Sequence, residues 1–164
     1  MAKAVIKVKV LVVYYSRSGN TEKMARAVAA GVEETGVPVE LKPVSQAKAE
    51  DLLEADGIIL GSPTYYGTLA AEMKALIDSS VRYHGKLEGK VGGAFTSSGG
   101  IGTGNETTIL SLLQALLVHG MIVQGAASGD HYGAVAVRAP DEKALEQCRQ
   151  LGARVARLVK TLQR

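Results

Sequence analysis

The chain has 164 residues, 46% of them apolar and 21% charged, a length and balance that suit one folded domain and exclude a disordered chain. Its net charge of +3 and pI near 9.0 come from scattered basic residues, so anionic small molecules are expected as partners and nucleic acid is not. Cys148, the single cysteine, excludes an intramolecular disulfide and points to a cytoplasmic setting, and no apolar stretch approaches the roughly 20 residues that cross a bilayer.

Met1 to Val13 carries three lysines among its valines and lacks a small-residue cleavage site, so it reads as a first strand, with its core at Val8 to Tyr14, and not as a secretion signal. Met24, Ala25, Val28 and Val32 then share one helical face. A second strand is expected at Val37 to Leu41, a short and weakly patterned helix over Ala49 to Ala55, and a third strand at Gly57 to Gly61. Met73, Leu76 and Ile77 mark the next helix, Val91 to Thr96 the fourth strand, and Leu112, Leu113, Leu116 and Leu117 the helix after it. A fifth strand is expected at Met121 to Ala127. The last helix is the clearest: Ala144, Cys148, Leu151, Val155, Leu158 and Leu162 repeat at three- and four-residue steps behind Pro140 and a capping Asp141. Its basic stretch, Arg149 to Arg164, is then a solvated helix face.

Val10 to Tyr15, Ile58 to Leu60 and Met121 to Val123 are almost continuously apolar, as parallel strands covered on both faces are. The alternation of strand and helix, with right-handed crossovers, predicts a single α/β domain over residues 1–164, a doubly wound sandwich around a five-stranded parallel sheet. Ligands of such sheets bind beyond the carboxyl ends of the strands, near the point where strand order reverses. Three loops there are rich in small and hydroxylated residues: Ser16-Arg17-Ser18-Gly19-Asn20-Thr21, Ser62-Pro63-Thr64-Tyr65-Tyr66-Gly67, and Thr96-Ser97-Ser98-Gly99-Gly100-Ile101-Gly102-Thr103-Gly104-Asn105-Glu106.

The first loop joins a buried strand to a helix, so backbone N–H groups and the positive end of the helix dipole converge on one spot that suits an anion. Ser16, Ser18, Asn20 and Thr21 add side-chain donors, and Gly19 permits close approach. The competing reading, in which these hydroxyls only cap the helix, loses weight to the two companion loops. The run from Val12 through Tyr15-Ser16-Arg17-Ser18-Gly19-Asn20-Thr21 to Val28 resembles the phosphate-binding segment of flavodoxins and related flavin mononucleotide (FMN) proteins. Gly61 to Gly67, Phe95 to Gly100, His119-Gly120-Met121 and Tyr132-Gly133-Ala134 are similar to segments of the tryptophan-repressor-binding-protein type of NAD(P)H:quinone oxidoreductases. The resemblance covers nearly the whole chain. It implies a flavodoxin-like fold, FMN as cofactor, NADH or NADPH as donor, a quinone-like acceptor and assembly as a homodimer or homotetramer. The chain departs from that pattern between Val123 and Ser128, where family members carry an insertion.

Within this frame Tyr65 and Tyr66 offer an aromatic face to a flavin ring, and Pro63 stiffens the loop that presents them. Thr64, Gly67, Thr96, Ser97, Ser98, Gly99, Gly100 and Gly102 complete the expected cofactor contacts, the glycines by letting backbone N–H groups approach the flavin edge. The glycine spacing after the fourth strand is wrong for a dinucleotide fingerprint, and no P-loop, phosphatase cysteine or receiver aspartate stands in the expected turns. His131 is the candidate proton donor to a reduced acceptor, being read as lying in the loop after the fifth strand and as a further cofactor contact. His119 is expected to end its helix with Gly120 as cap, His84 to lie in a polar loop, and Cys148 to be inert core. No cluster has metal-ligand spacing, and no metal is expected. The alternative to an enzyme is an electron carrier without its own nicotinamide site, against which the net positive charge argues.

Overall fold

The computed structural model describes residues 7–163; Met1 to Ile6, the start of the lysine-bearing lead segment, and Arg164 lie outside the described residues. The strands are β1 (Val10–Tyr14), β2 (Val39–Pro43), β3 (Gly57–Tyr65), β4 (Thr68–Leu69), β5 (Val91–Ser98), β6 (Ile122–Val123) and β7 (Ala134–Val137). The helices are α1 (Asn20–Glu33), α2 (Ala49–Glu54), α3 (Ala71–Ser79), α4 (Asn105–Val118) and α5 (Glu142–Leu162). The parallel order β2-β1-β3-β5-β6 reverses direction between β1 and β3, and this is the switch point.

Alternation along the strands feeds two cores, one on each face. Val10, Val12, Ile59, Val91 and Phe95 meet Met24, Val28, Cys148, Leu151 and Val155 of α1 and α5. Leu11, Val13, Ile58, Leu60 and Ala94 meet Leu52, Met73, Leu76, Ile109 and Leu112 of α2, α3 and α4. All of β1 is buried, which is why it reads as one apolar run. The α5 cap forms as expected: the Asp141 carboxylate accepts from Ala144 N at 2.8 Å.

Three expectations are corrected. The second strand starts two residues late, at Val39. The third and fourth strands run past Gly61 and Thr96 to Tyr65 and Ser98, so Pro63 to Tyr65 are strand, and Thr64 and Tyr65 pair antiparallel with β4 in a hairpin. The fifth strand is split. Only Ile122 and Val123 pair with the start of β5, residues 124–133 leave the sheet, and Ala134–Val137 then pair with Phe95–Ser98. Glycines at 125, 129 and 133 interrupt the apolar pattern there, and Gly133 is seated where a Cβ would fall 2.0 Å from Ala94 O.

Candidate functional site

Beyond the carboxyl ends of β1, β3 and β5, the three loops are joined to one another. Tyr15 N donates to Gly61 O at 3.0 Å, which fixes the start of the first loop on β3. Thr21 and Ser97 share a buried hydroxyl hydrogen bond of 2.8 Å, tying the first turn of α1 to the end of β5. Thr96 Oγ1 donates its one proton to Ser62 O at 2.6 Å, so at 3.0 Å it must accept from Thr64. Ser98 Oγ donates to Gly100 O at 3.0 Å and folds the glycine loop back over β5.

Four expected contact residues with hydroxyls, Thr21, Thr96, Ser97 and Ser98, therefore turn inward and act as ties. Pro63 is buried with them. Ser16, Arg17, Ser18, Gly19, Asn20, Tyr65, Tyr66, Gly67, Gly99, Gly100 and Gly102 keep some or all of their surface open. Tyr65 meets Tyr15 edge-on at 6.2 Å between ring centroids, and Tyr66 stands wholly exposed.

The first loop has an unfilled requirement. Gly19 takes φ +92 at the N-cap of α1 and offers no side chain, and Ser16 Oγ accepts from Gly19 N at 3.1 Å. The first intrahelical bond runs from Lys23 N to Gly19 O. Among the described residues, the N–H groups of Asn20, Thr21 and Glu22 have no acceptor. Uncapped donors at a helix start, with open space where a Gly19 side chain would be, fit the phosphate of a mononucleotide. A neighbouring recess of about 380 Å³ carries Glu22 and Glu72 on its walls and is electrostatically unsuited to an anion. Glu72 faces Tyr15 across this recess, and its carboxylate, with burial second, raises the Tyr15 pKa above its ordinary value.

His131 does not follow the fifth strand. The chain leaves the sheet after Val123, opposite Gly92, and returns at Ala134, opposite Phe95, and His131 lies in the excursion between them, where its carbonyl accepts from Ala126 N at 3.0 Å. Its Nδ1 is 2.8 Å from Ala126 O and carries the proton, since a carbonyl only accepts. The residue beyond the fifth strand's carboxyl end is Arg138, at φ +62, whose N–H donates to Ser98 O at 2.7 Å. Sequence reasoning missed Arg138, and it missed Glu72 and Thr107, which bear on the first and third loops from helices that carry no motif. Cys148 is fully buried and its thiol is pushed up to about 12 by burial, in line with an inert core residue. His84 is exposed, and His119 ends α4 ahead of Gly120 at φ +76.

The NADPH-dependent FMN reductase family model matches residues 39–133. A flavodoxin of Aquifex aeolicus is 44% identical over 160 residues, covering 92% of this chain and 86% of the relative. An NAD(P)H dehydrogenase (quinone) of Archaeoglobus fulgidus is 36% identical over 188 residues, covering 94% of this chain and 98% of the relative. The crystal structure of a flavodoxin, WrbA-like protein from Agrobacterium tumefaciens superimposes with a TM-score of 0.80 at 31% identity, over 94% of this chain and 98% of that one. Family model, whole-length relatives and sheet order agree, and the chain belongs to the NADPH-dependent FMN reductase family as a WrbA-type, flavodoxin-like FMN protein.

Proposed function

We propose that this protein is an FMN-dependent oxidoreductase that passes electrons from NADH or NADPH to a quinone or similar small acceptor. The uncapped start of α1 carries the reading: the N–H groups of Asn20, Thr21 and Glu22 lack acceptors and would take the FMN phosphate, with Ser16, Ser18 and Arg17 around it. Tyr65, Tyr66 and Gly67 on one side and Gly99, Gly100 and Gly102 on the other would orient the ring, the glycines leaving room for backbone donors. When bound, FMN supplies acceptance of hydride from nicotinamide and release of electrons to the acceptor. The chain binds and orients, and from the segment between β6 and β7 His131 would reach an acceptor only at the site's margin. Cytoplasmic residence fits the lone, buried Cys148. Assembly as a homodimer or homotetramer belongs to this reading, with Val81 and Val118 exposed along one recess.

The test is an absorbance spectrum after loading FMN and removing the excess, followed by steady-state reduction of a quinone panel with each nicotinamide. Flavin bands retained by the parent and lost in Ser18→Glu, together with turnover, are expected. A flavin-loaded protein that reduces no acceptor would sink the enzymatic reading. One observation favours an electron carrier instead. The 188 aligned positions of the Archaeoglobus dehydrogenase exceed the 164 residues of this chain, whereas the Aquifex flavodoxin aligns over 160. A persistent one-electron absorbance signature during reductive titration would support the carrier.

A further inference from the structure

Gly104 and Gly67 touch: a Cβ on Gly104 would fall 2.5 Å from Gly67 Cα. Beside this contact, Thr107 Oγ1 lies 2.9 Å from the carbonyl oxygens of both Gly67 and Gly104. A hydroxyl has one proton to give, and a carbonyl has two lone pairs. Gly104 O already accepts from Thr108 N at 2.9 Å and from Thr108 Oγ1 at 2.8 Å, so the Thr107 proton goes to Gly67 O. Among the described residues no other donor reaches that oxygen.

Gly67 is the second half of the two-residue turn between β3 and β4, where Tyr66 and Gly67 take φ +47 and +83. Two left-handed residues make the tight turn of such a hairpin, and tyrosine is strained in the first position. The exposed Tyr66 ring makes no aromatic pair among the described residues, and the hairpin that carries it has only two strand-pair registers of its own. Its tip is held from outside, by the first turn of α4.

We propose that Thr107 is a positioning residue for the flavin site: through Gly67 O it fixes the Tyr65–Tyr66 hairpin against the Gly99–Gly104 loop and so sets the gap between them. The inference rests on the reading that FMN sits between these loops. Thr107 lies on the exposed face of α4 and acts only through Gly67.

Thr107→Val keeps the branched shape and removes the donor, and Thr107→Ser returns it. In Thr107→Val, FMN affinity measured by fluorescence quenching should fall by roughly three- to tenfold, the net worth of one hydrogen bond. The midpoint potential of the bound flavin should shift, and Thr107→Ser should restore both. A role confined to helix stability would move the melting temperature equally with and without FMN and leave the potential unchanged; that result, or a Val variant matching the parent, overturns the proposal. Amide exchange at Tyr66 to Leu69 in the apoprotein should quicken in the Val variant alone. Quickened exchange in a chain whose parent form binds no FMN would instead overturn the functional reading and the flavin role of Thr107 with it, while leaving the latch itself demonstrated.

Discussion

A side chain at Gly61 would put its first carbon 2.0 Å from the Phe95 ring, which lies across it from the paired position on β5. Gly61→Ala should therefore cost about 1–3 kcal/mol through forced repacking, read by chemical denaturation, and an unchanged midpoint would refute the packing argument. His119 is a second residue whose chemistry follows from one proton. Ser80 Oγ donates to Ile77 O at 2.6 Å, so at 2.8 Å it accepts from His119 Nε2, which leaves Nδ1 bare, buried and without a partner among the described residues. Burial first, and then His84 across 6.1 Å between ring centroids, hold the His119 pKa below its ordinary 6.5. The folded chain thus binds this proton less readily than the unfolded chain. Its contribution to stability is complete above pH 6.5 and is lost as pH falls through the depressed value. Melting temperature should drop between pH 7 and 5.5 more steeply in the parent than in His119→Gln, and parallel slopes would sink the assignment.

At the scale of elements, α1 and α5 pack backbone to backbone. A Cβ on Gly31 would fall 1.9 Å from Arg149 O, and one on Gly152 would fall 2.0 Å from Val28 O. Glycine to alanine inside a helix ordinarily gains about 1 kcal/mol in propensity. Gly152→Ala should reverse that sign and destabilise by more than Asp141→Ala, which removes only a cap worth about 1 kcal/mol. Urea midpoints for the two variants decide the order, and a stabilised Gly152→Ala would disprove the close contact. The same helix shows why so much was legible beforehand, since Pro140, the Asp141 cap and the three- and four-residue spacing through Leu162 are all local signals. β1 and the first loop were legible for the same reason. The fifth strand was not, because Ala134–Val137 is a strand only by virtue of the β5 edge beside it. Nor could composition tell a hydroxyl that faces a ligand from one spent as a tie. Thr21 and Ser97 are 76 positions apart, and only the fold makes them partners. Thr107 sits in an ordinary helical turn, with nothing in its neighbours to mark its reach to Gly67.

For the molecule as a whole, the site lies where three loops meet over a sheet that is already fully sandwiched by two cores. Cofactor binding then draws on a preformed scaffold, and its free energy adds to that of folding. FMN held at one hundred times its dissociation constant should stabilise the parent by about 2.7 kcal/mol, visible as a rise in melting temperature that Ser18→Glu largely abolishes. No rise in the parent would show that the folded state has no preference for FMN. Among the described residues no helix is long and apolar enough to cross a membrane. The split fifth strand bears on how such a molecule can change size. β6 and β7 each hold their own register on β5, so neither depends on the length of chain between them. Closing a longer loop costs only about 0.6 kcal/mol for each doubling. The interval 124–133 is thus a seam at which sequence can be spliced in or taken out at the sheet margin, while the three loops over the switch point keep their places.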